Sequence, residues 1–507
     1  MATSEQTLLY NAKDAVSTFV IARRVMEEVQ QLHLEKTYQH TIDLYGPLIY
    51  MMLRGVRVDQ EALTKMKGKV QATMLEYQDR LNKLVGHPLN FNSSDQVKKY
   101  FYIEKGVPAY TKYNKKSGGS TVTVDDKALQ RLSRPTSNRK GFEEAKIIQR
   151  LRQLSKLKGT YLEITFDADQ RLRCSYNPRG TRFGRLSSSK TIFETGMNMQ
   201  NLPPAFQHFL VADPGRLFFS LDKSQAEWVV VAYASGDAAM IHAVESGLDV
   251  HAYTASNMFK VPIEIVKMEH KDLGHMSDPD QIVHARAQLD YMSPYLRLWL
   301  PRSMSMRQCG KKSNHGLNYD ETEKMFSLIN EISEKEAGII IEFYHGIYRG
   351  IRKWHEAIRN QLAQDRTLIN PFGRRQNFMD KWGPDLWKSA YSFIPQSTVG
   401  ELVNRGMDDI YEDNSEDTTD LEIMMQVHDS VDFQFPDNDA KRMVRAIRFC
   451  VNKLNPTMEL NGREFTIGTD LKVGYNLGEM HEINLKLTDG ELAERIQEIV
   501  DGKEKAQ

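Results

Sequence analysis

The chain has 507 residues, and its 67 lysines and arginines balance 67 aspartates and glutamates, so net charge carries no sign of nucleic acid and any electrostatic footprint must be a local patch. No apolar run reaches the roughly 18–20 residues that span a bilayer, and residues 1–30 lack the charged and apolar blocks of a secretory leader; a cytoplasmic protein with no membrane partner is expected. Three scattered cysteines, Cys174, Cys309 and Cys450, are too few for a disulfide framework or a thiolate zinc site.

In chain order, helical periodicity marks Val16 to Val29, Thr41 to Leu53 and, after a turn at Gly55, a helix from about Gln60. From Gly86 to about Arg139 the chain reads as polar, basic loop, with Lys98, Lys99, Lys105, Lys112, Lys115 and Lys116 around a Ser117-Gly118-Gly119-Ser120 turn. A helix from Gly141 to Leu162 carries Lys146, Arg150, Arg152, Lys156 and Lys158, either a phosphate-tracking surface or a solvated face. Strands are expected at Leu217–Leu221, Ile423–Val427 and Val431–Phe435, the last two flanking His428-Asp429 as a tight hairpin would. Helices fill the interval, with an irregular stretch from Lys267 to Leu300 that reads as an inserted loop or small subdomain. The acidic run Glu412 to Asp417 reads as a solvated loop, and the charged segment after Asn484 as a peripheral helix.

Asp222 ends an apolar strand, with Gln225 and Glu227 presented in the next turn. An Asp there is ordinarily a helix cap, but a His-Asp pair at a hairpin tip is a poor turn and a good way to aim a carboxylate into a cleft. Two such carboxylates can hold a pair of Mg²⁺ ions about 3.5–4 Å apart for in-line phosphoryl transfer. Between them Arg307, Lys311, His315 and Tyr319 recur every four residues, and so share one helix face that drifts by roughly 40° per step. Arg and Lys supply phosphate donors at one end and rings stack on a base at the other.

With these motifs in order, the chain resembles family A DNA polymerases, the bacterial DNA polymerase I type, and most closely their phage-encoded members. Gly184 to Ser189 and Asn198 to Pro203 resemble the template–primer motif, Asp222 to Glu227 motif A, Arg307 to Tyr319 motif B, and Gln426 to Asp429 motif C. The resemblance implies an α+β right-hand fold with palm, fingers and thumb, the palm built on an antiparallel sheet. It implies a thumb with connecting helices at 36–170, palm at 171–250 and 396–483, fingers at 251–395 with the 267–300 insertion, and a charged helix at 484–507. It also implies a DNA polymerase that adds deoxynucleotides to a primer 3′-hydroxyl in replication, with primed DNA and dNTPs as partners and two Mg²⁺ ions as cofactor. Asp222 and Asp429 would be the catalytic metal ligands, helped by the Lys223 carbonyl. Gln225, His251, Arg307, Lys311, His315 and Tyr319 would bind the incoming nucleotide, and Glu227 would crowd a ribose 2′-hydroxyl. Arg185, Asn198, Gln200, Asn201, Gln396, His428 and the thumb residues Lys156 and Lys158 would contact primer and template.

Four positions depart from the family pattern: His315 stands for a Phe or Tyr, Asp320 for a glycine, Ser430 for a glutamate and Val229 for an arginine. Tyr10 and Asp14 resemble the last motif of a 3′–5′ exonuclease domain, yet nine residues precede them, so this chain alone is not expected to proofread. Residues 1–35 would then be a remnant of that domain, a docking site for a separate exonuclease polypeptide, or a plain surface helix. Two other functions fit the polymerase motifs: a single-subunit RNA polymerase, which Glu227 argues against, and a DNA-binding subunit that has lost catalysis.

Overall fold

In this computed structural model, residues 4–114, 119–133, 140–330 and 332–506 are described. Five strands form the central sheet: β1 (Arg216–Lys223), β2 (Glu422–Val427), β3 (Ser430–Pro436), β4 (Thr469–Gly474) and β5 (His481–Ile483). They lie side by side as β2-β3-β1-β4-β5 with every pairing antiparallel, which places β1 in the middle. Its Leu217, Phe218, Phe219 and Leu221 are fully buried because a central strand covered on both faces needs apolar side chains on both. Phe219 sits opposite Phe433 with the rings stacked at 5.0 Å, a cross-strand pair that helps hold the register.

The helices that matter for the site are α1 (Ser4–Gln31), α2 (Glu143–Lys156), α3 (Ala226–Ser235), α4 (Val250–Phe259), α5 (Ile263–Leu273), α6 (Pro279–Ala287), α7 (Met306–Leu317) and α8 (Pro384–Tyr411). One core joins the sheet to the N-terminal residues Leu44, Leu48 and Met51 and to the helix Ala440–Leu454; a second gathers α3, α4, α7 and neighbouring helices. α8 threads both, with Leu402 in the second core and Val403 in the first, so it couples the sheet to the helical half. None of the described helices is long and apolar enough to cross a membrane.

Several expectations are corrected. Thr41–Leu53 spans two helices, Glu35–Asp43 and Tyr45–Arg54. The Gly86–Arg139 stretch is not simply loop: it contains helical turns at 94–104, a hairpin of Thr111–Asn114 with Gly119–Val122, and a helix Asp126–Ser133. Val97, Tyr100, Phe101, Leu129 and Leu132 from this stretch meet Ile148 and Leu151 of α2 in a third core. Those apolar residues are thinly spread along the chain and converge only in three dimensions. The readings of Lys115, Lys116, Ser117, Gly118 and Arg139 fall outside the described residues. Arg152 does not face solvent; it donates to Phe91 O at 2.9 Å and Val124 O at 2.6 Å, tying α2 to the segments beside it. Lys267–Leu300 is a small helical unit, made of the end of α5, then α6 and a 3₁₀ segment Asp290–Tyr295.

Candidate active site

The sheet brings the two motif carboxylates together. Asp222 is the penultimate residue of β1, and the next backbone N–H, of Lys223, donates to Asp429 O at 3.1 Å, which ties the hairpin tip to the strand end. His428 and Asp429 are the two loop residues between Val427 and Ser430, and His428 takes φ 55°, the left-handed conformation such tight hairpins demand. Asp222 is paired with Ser430 of β3 on one side and with Asp470 of β4 on the other. Paired residues point to the same face, so Asp470 is a third carboxylate beside Asp222. Its oxygen accepts a short hydrogen bond from Ser224 Oγ.

Lys223 shows a role for its side chain that sequence reasoning did not assign. Its buried ammonium donates among Leu454 O (2.9 Å), Asn455 Oδ1 (2.5 Å), Ile467 O (2.5 Å) and Thr469 Oγ1 (3.2 Å), pinning the end of β1. Burial pulls this amine down to about 7, while Asp222 and Asp470 oppose the shift. Four oxygen acceptors around one nitrogen favour the charged form.

The cationic wall faces these carboxylates. Asp249 caps α4 by accepting from His251 N (3.1 Å) and Ala252 N (3.0 Å), and its second oxygen accepts from Arg307 Nε at 2.6 Å. Ser305 caps α7 through Gln308 N. α7 crosses α4 closely at Gly310, where a Cβ would stand 2.3 Å from His251 O, so only glycine fits. Asn314 then donates to Val250 O (3.3 Å), shares a 3.0 Å contact with His251 Nδ1 and accepts from Thr254 Oγ1 (3.0 Å), which fixes the His251 ring 5.9 Å from that of His315. Gln225, at φ 53°, starts α3, and its side chain accepts from Val250 N at 3.1 Å.

The helical face is shorter than expected. α7 ends at Leu317, and Tyr319 lies in the turn beyond, where Glu321 N and Tyr319 N both return to Gly316 O. Asp320 takes φ 59°, a conformation glycine adopts freely, and Arg352 pairs with its carboxylate in compensation. Tyr319 OH nonetheless reaches the cavity and donates to one oxygen of Glu227, while Arg185 donates to the other.

Asp222, Lys223, Gln225, Glu227, His251, Arg307, Lys311, His315, Tyr319 and Asp429 all line one cavity of ≈ 330 Å³. Asp249, Asn314 and Asp470 were missed. Asp before Val250-His251 carries a helix-cap signature, but the facing of Asp470 depends on a strand register that only the folded sheet sets.

Of the primer–template candidates, Arg185 touches the cavity residue Glu227, and the others are not among the residues that line it. Gln200 is buried and donates to Gln426 Oε1 (3.0 Å), and Gln426 donates to His428 O (2.7 Å). Asn198 caps Gln200 N at 3.0 Å. Gln200 thus braces the hairpin through Gln426, and the half-buried Asn198 holds Gln200. Asn201 and Lys156 are exposed, Gln396 is half-buried on α8, and His428 is exposed at the hairpin tip. Lys158 is held by Gln71 (2.7 Å) and Glu163 (3.5 Å). Tyr10 and Asp14 lie on α1, which has no buried residue.

Burial, then the nearby Asp429, raises Asp222 to about 6, and burial likewise raises Asp429. Two half-buried carboxylates that repel one another make a fitting seat for a divalent cation. Among the described residues no three acidic, His or Cys side chains form a ready-made metal cage.

The sequence profile of DNA polymerase family A matches residues 60–275 and 301–479. The chain is 28% identical over 448 residues to the thermostable DNA polymerase I of Thermus aquaticus, covering 84% of this chain and 47% of that protein. It is 25% identical over 496 residues to DNA polymerase I of Chloroflexus aurantiacus, covering 94% and 47%. The chain thus spans about half the length of the curated relatives it matches. Its fold is similar to the POL domain of Pol1 from M. smegmatis, solved in complex with DNA primer-template and dNTP, with a TM-score of 0.68 at 19% identity over 86% of this chain and 70% of that one. The architecture is therefore the right-hand polymerase fold, and by the span of the profile match the chain belongs to DNA polymerase family A.

Proposed function

We propose that the chain is a template-directed DNA polymerase that adds deoxynucleotides to a primer 3′-hydroxyl and releases pyrophosphate. The observation that carries this reading is the division of one cavity into a wall of repelling carboxylates, Asp222 and Asp429, and a facing wall of cations, Arg307 and Lys311. Arg307 and Lys311 bind the triphosphate; Arg307 must exchange its Asp249 partner for phosphate oxygens, and Lys311 offers a point charge one turn further on. Asp222, Asp429 and the Lys223 carbonyl would hold two divalent cations, Mg²⁺ in this reading. When bound, these lower the pKa of the primer hydroxyl and neutralise charge on the departing pyrophosphate.

The bond that forms joins the primer 3′-oxygen to the α-phosphorus, and the one that breaks joins that phosphorus to the bridging oxygen of pyrophosphate. Burial lowers the His315 imidazole, against the pull of Glu227, so it stacks on the base uncharged at neutral pH. Glu227, gripped by Tyr319 and Arg185, crowds the sugar 2′ position and selects deoxynucleotides. His428, Asn201, Gln396 and the thumb lysines meet primer and template.

Primer extension with Mg²⁺, comparing deoxy- with ribonucleotides and wild type with Asp222→Ala and Asp429→Ala, tests this. Deoxynucleotide addition lost in both variants supports it. Tight binding of primed DNA without extension selects the inactive-subunit reading, and preferential ribonucleotide addition the RNA polymerase one.

The N-terminal helix belongs to the same proposal. Tyr10 and Asp14 stand one turn apart on α1 among the exposed Leu9, Val16 and Phe19, a surface suited to a separate 3′–5′ exonuclease polypeptide. Co-elution of the two on gel filtration, lost in Phe19→Asp, supports docking; separate elution of two folded proteins sinks it.

A further inference from the structure

The family match covers residues 60–275 and 301–479, so α6 and the 3₁₀ segment after it lie between the matched stretches. That segment inserts one charged side chain into the protein interior. Arg286 of α6 is 4% exposed and Glu269 of α5 fully buried. Arg286 donates twice to Glu269 Oε1, from Nε at 2.8 Å and Nη2 at 2.5 Å, and also to Pro301 O (2.7 Å) and Met304 O (2.9 Å). Both carbonyls belong to the strap that leads into α7. The other Glu269 oxygen accepts from Met306 N at 2.7 Å, the first residue of α7, whose N–H has no partner within its own helix. A carboxylate there also faces the positive end of the helix dipole. His270, next on α5, contacts the α7 cap Ser305 at 2.9 Å.

From this we propose that the 276–300 segment anchors the nucleotide-binding helix, with Arg286 and Glu269 as positioning residues that set where Arg307 and Lys311 meet the triphosphate. The inference rests on the nucleotide-binding role given to α7 above. Arg307 directly follows the anchored Met306, and Lys311 lies about one turn further along. Loss of the anchor frees the start of α7 and leaves the carboxylates untouched, because those are held by the sheet. The anchor therefore governs nucleotide affinity more than turnover or DNA binding.

The test compares wild type with Arg286→Lys and with the paired Glu269→Met, Arg286→Met variant, which leaves no lone buried charge behind. Thermal unfolding first establishes that the paired variant is folded. Primer extension is then expected to show KM for dATP raised about tenfold, with kcat and the Kd for primed DNA changed less than about threefold. Arg286→Lys, which keeps the charge but not the planar fork, should fall between. An unchanged KM in the folded paired variant overturns the inference. So does a joint loss of kcat, DNA affinity and nucleotide affinity, which marks a purely structural pair. If the wild type extends no primer, the polymerase reading fails, and equilibrium dialysis of dATP against the protein–DNA–Mg²⁺ complex decides the anchor alone. A clear loss of dATP affinity in the paired variant sustains it; equal binding, or no binding by wild type, overturns it.

Discussion

The two walls of the cavity are built differently. Asp222 sits in a strand flanked by β3 and β4, and the next N–H is bonded to the hairpin that carries Asp429, so the carboxylate wall is positioned by backbone ladders on both sides. The cationic wall rides on a 12-residue helix held mainly through side chains: Ser305, Glu269 and Asp249 at its start and Asn314 near its end. A backbone ladder tolerates side-chain change without moving, whereas a helix held by side-chain contacts, apolar ones in the second core and polar ones at its start, is more sensitive to the loss of one. Substitutions on the sheet should therefore act on turnover, and those on the helix on nucleotide affinity.

The largest expected effect follows from removing either primary carboxylate. Asp222→Ala or Asp429→Ala should lower kcat by roughly 10³-fold or more, since a metal seat supplies several kcal/mol to the transition state. The Kd for primed DNA should stay near wild type. A kcat reduced less than tenfold in both would break the comparison at its strongest point.

Lys311→Ala comes next. Loss of a charge-assisted contact worth about 1.5–3 kcal/mol should raise KM for dNTPs roughly 10- to 100-fold with a smaller change in kcat. A fall confined to kcat would put the helix in the same class as the sheet.

Glu227→Ala should weaken discrimination against ribonucleotides by about tenfold, the scale of a single steric or polar contact in a pocket. It also frees Tyr319 and Arg185, so discrimination ratios from single-nucleotide addition are the quantity to compare.

The smallest effect concerns stability without metal. Asp222 is raised from 3.8 to about 6, so between those values the folded protein keeps a proton that the unfolded chain has lost. The contribution of this group to stability is full below about pH 4 and is lost as pH rises through about 6. Asp222→Asn should therefore stabilise the metal-free protein at pH 7 by on the order of 1 kcal/mol and leave it unchanged at pH 4. Chemical denaturation at the two pH values checks the sign, and added Mg²⁺ should narrow the gap by stabilising wild type.

Strands around Phe219, Met425 and Phe433 were legible in sequence because a buried strand is a short apolar run whose ends are marked by turns. The hairpin tip at His428-Asp429 followed from the same pattern. The Gly86–Arg139 stretch was misread because Tyr100, Phe101 and Leu129 are separated by polar residues and show their common core only when folded against α2. The contacts of Gln200 with Gln426 and of Asn198 with Gln200 N were not legible in sequence, because they join segments more than 200 residues apart or depend on the local turn.

Residue type and four-residue spacing, which belong to the chain itself, put Asp222, Asp429, Arg307 and Lys311 forward as candidates, and the fold brings all four to one cavity. Asp470 beside Asp222, Lys223 in its cage of oxygens and Arg286 locked to Glu269 were decided only by tertiary structure. Each depends on a partner 17 or more residues away, as with Arg286 and Glu269, and often over 200. Strand register and the burial of a charge are properties of the assembled fold, set by which surfaces meet rather than by which residues adjoin.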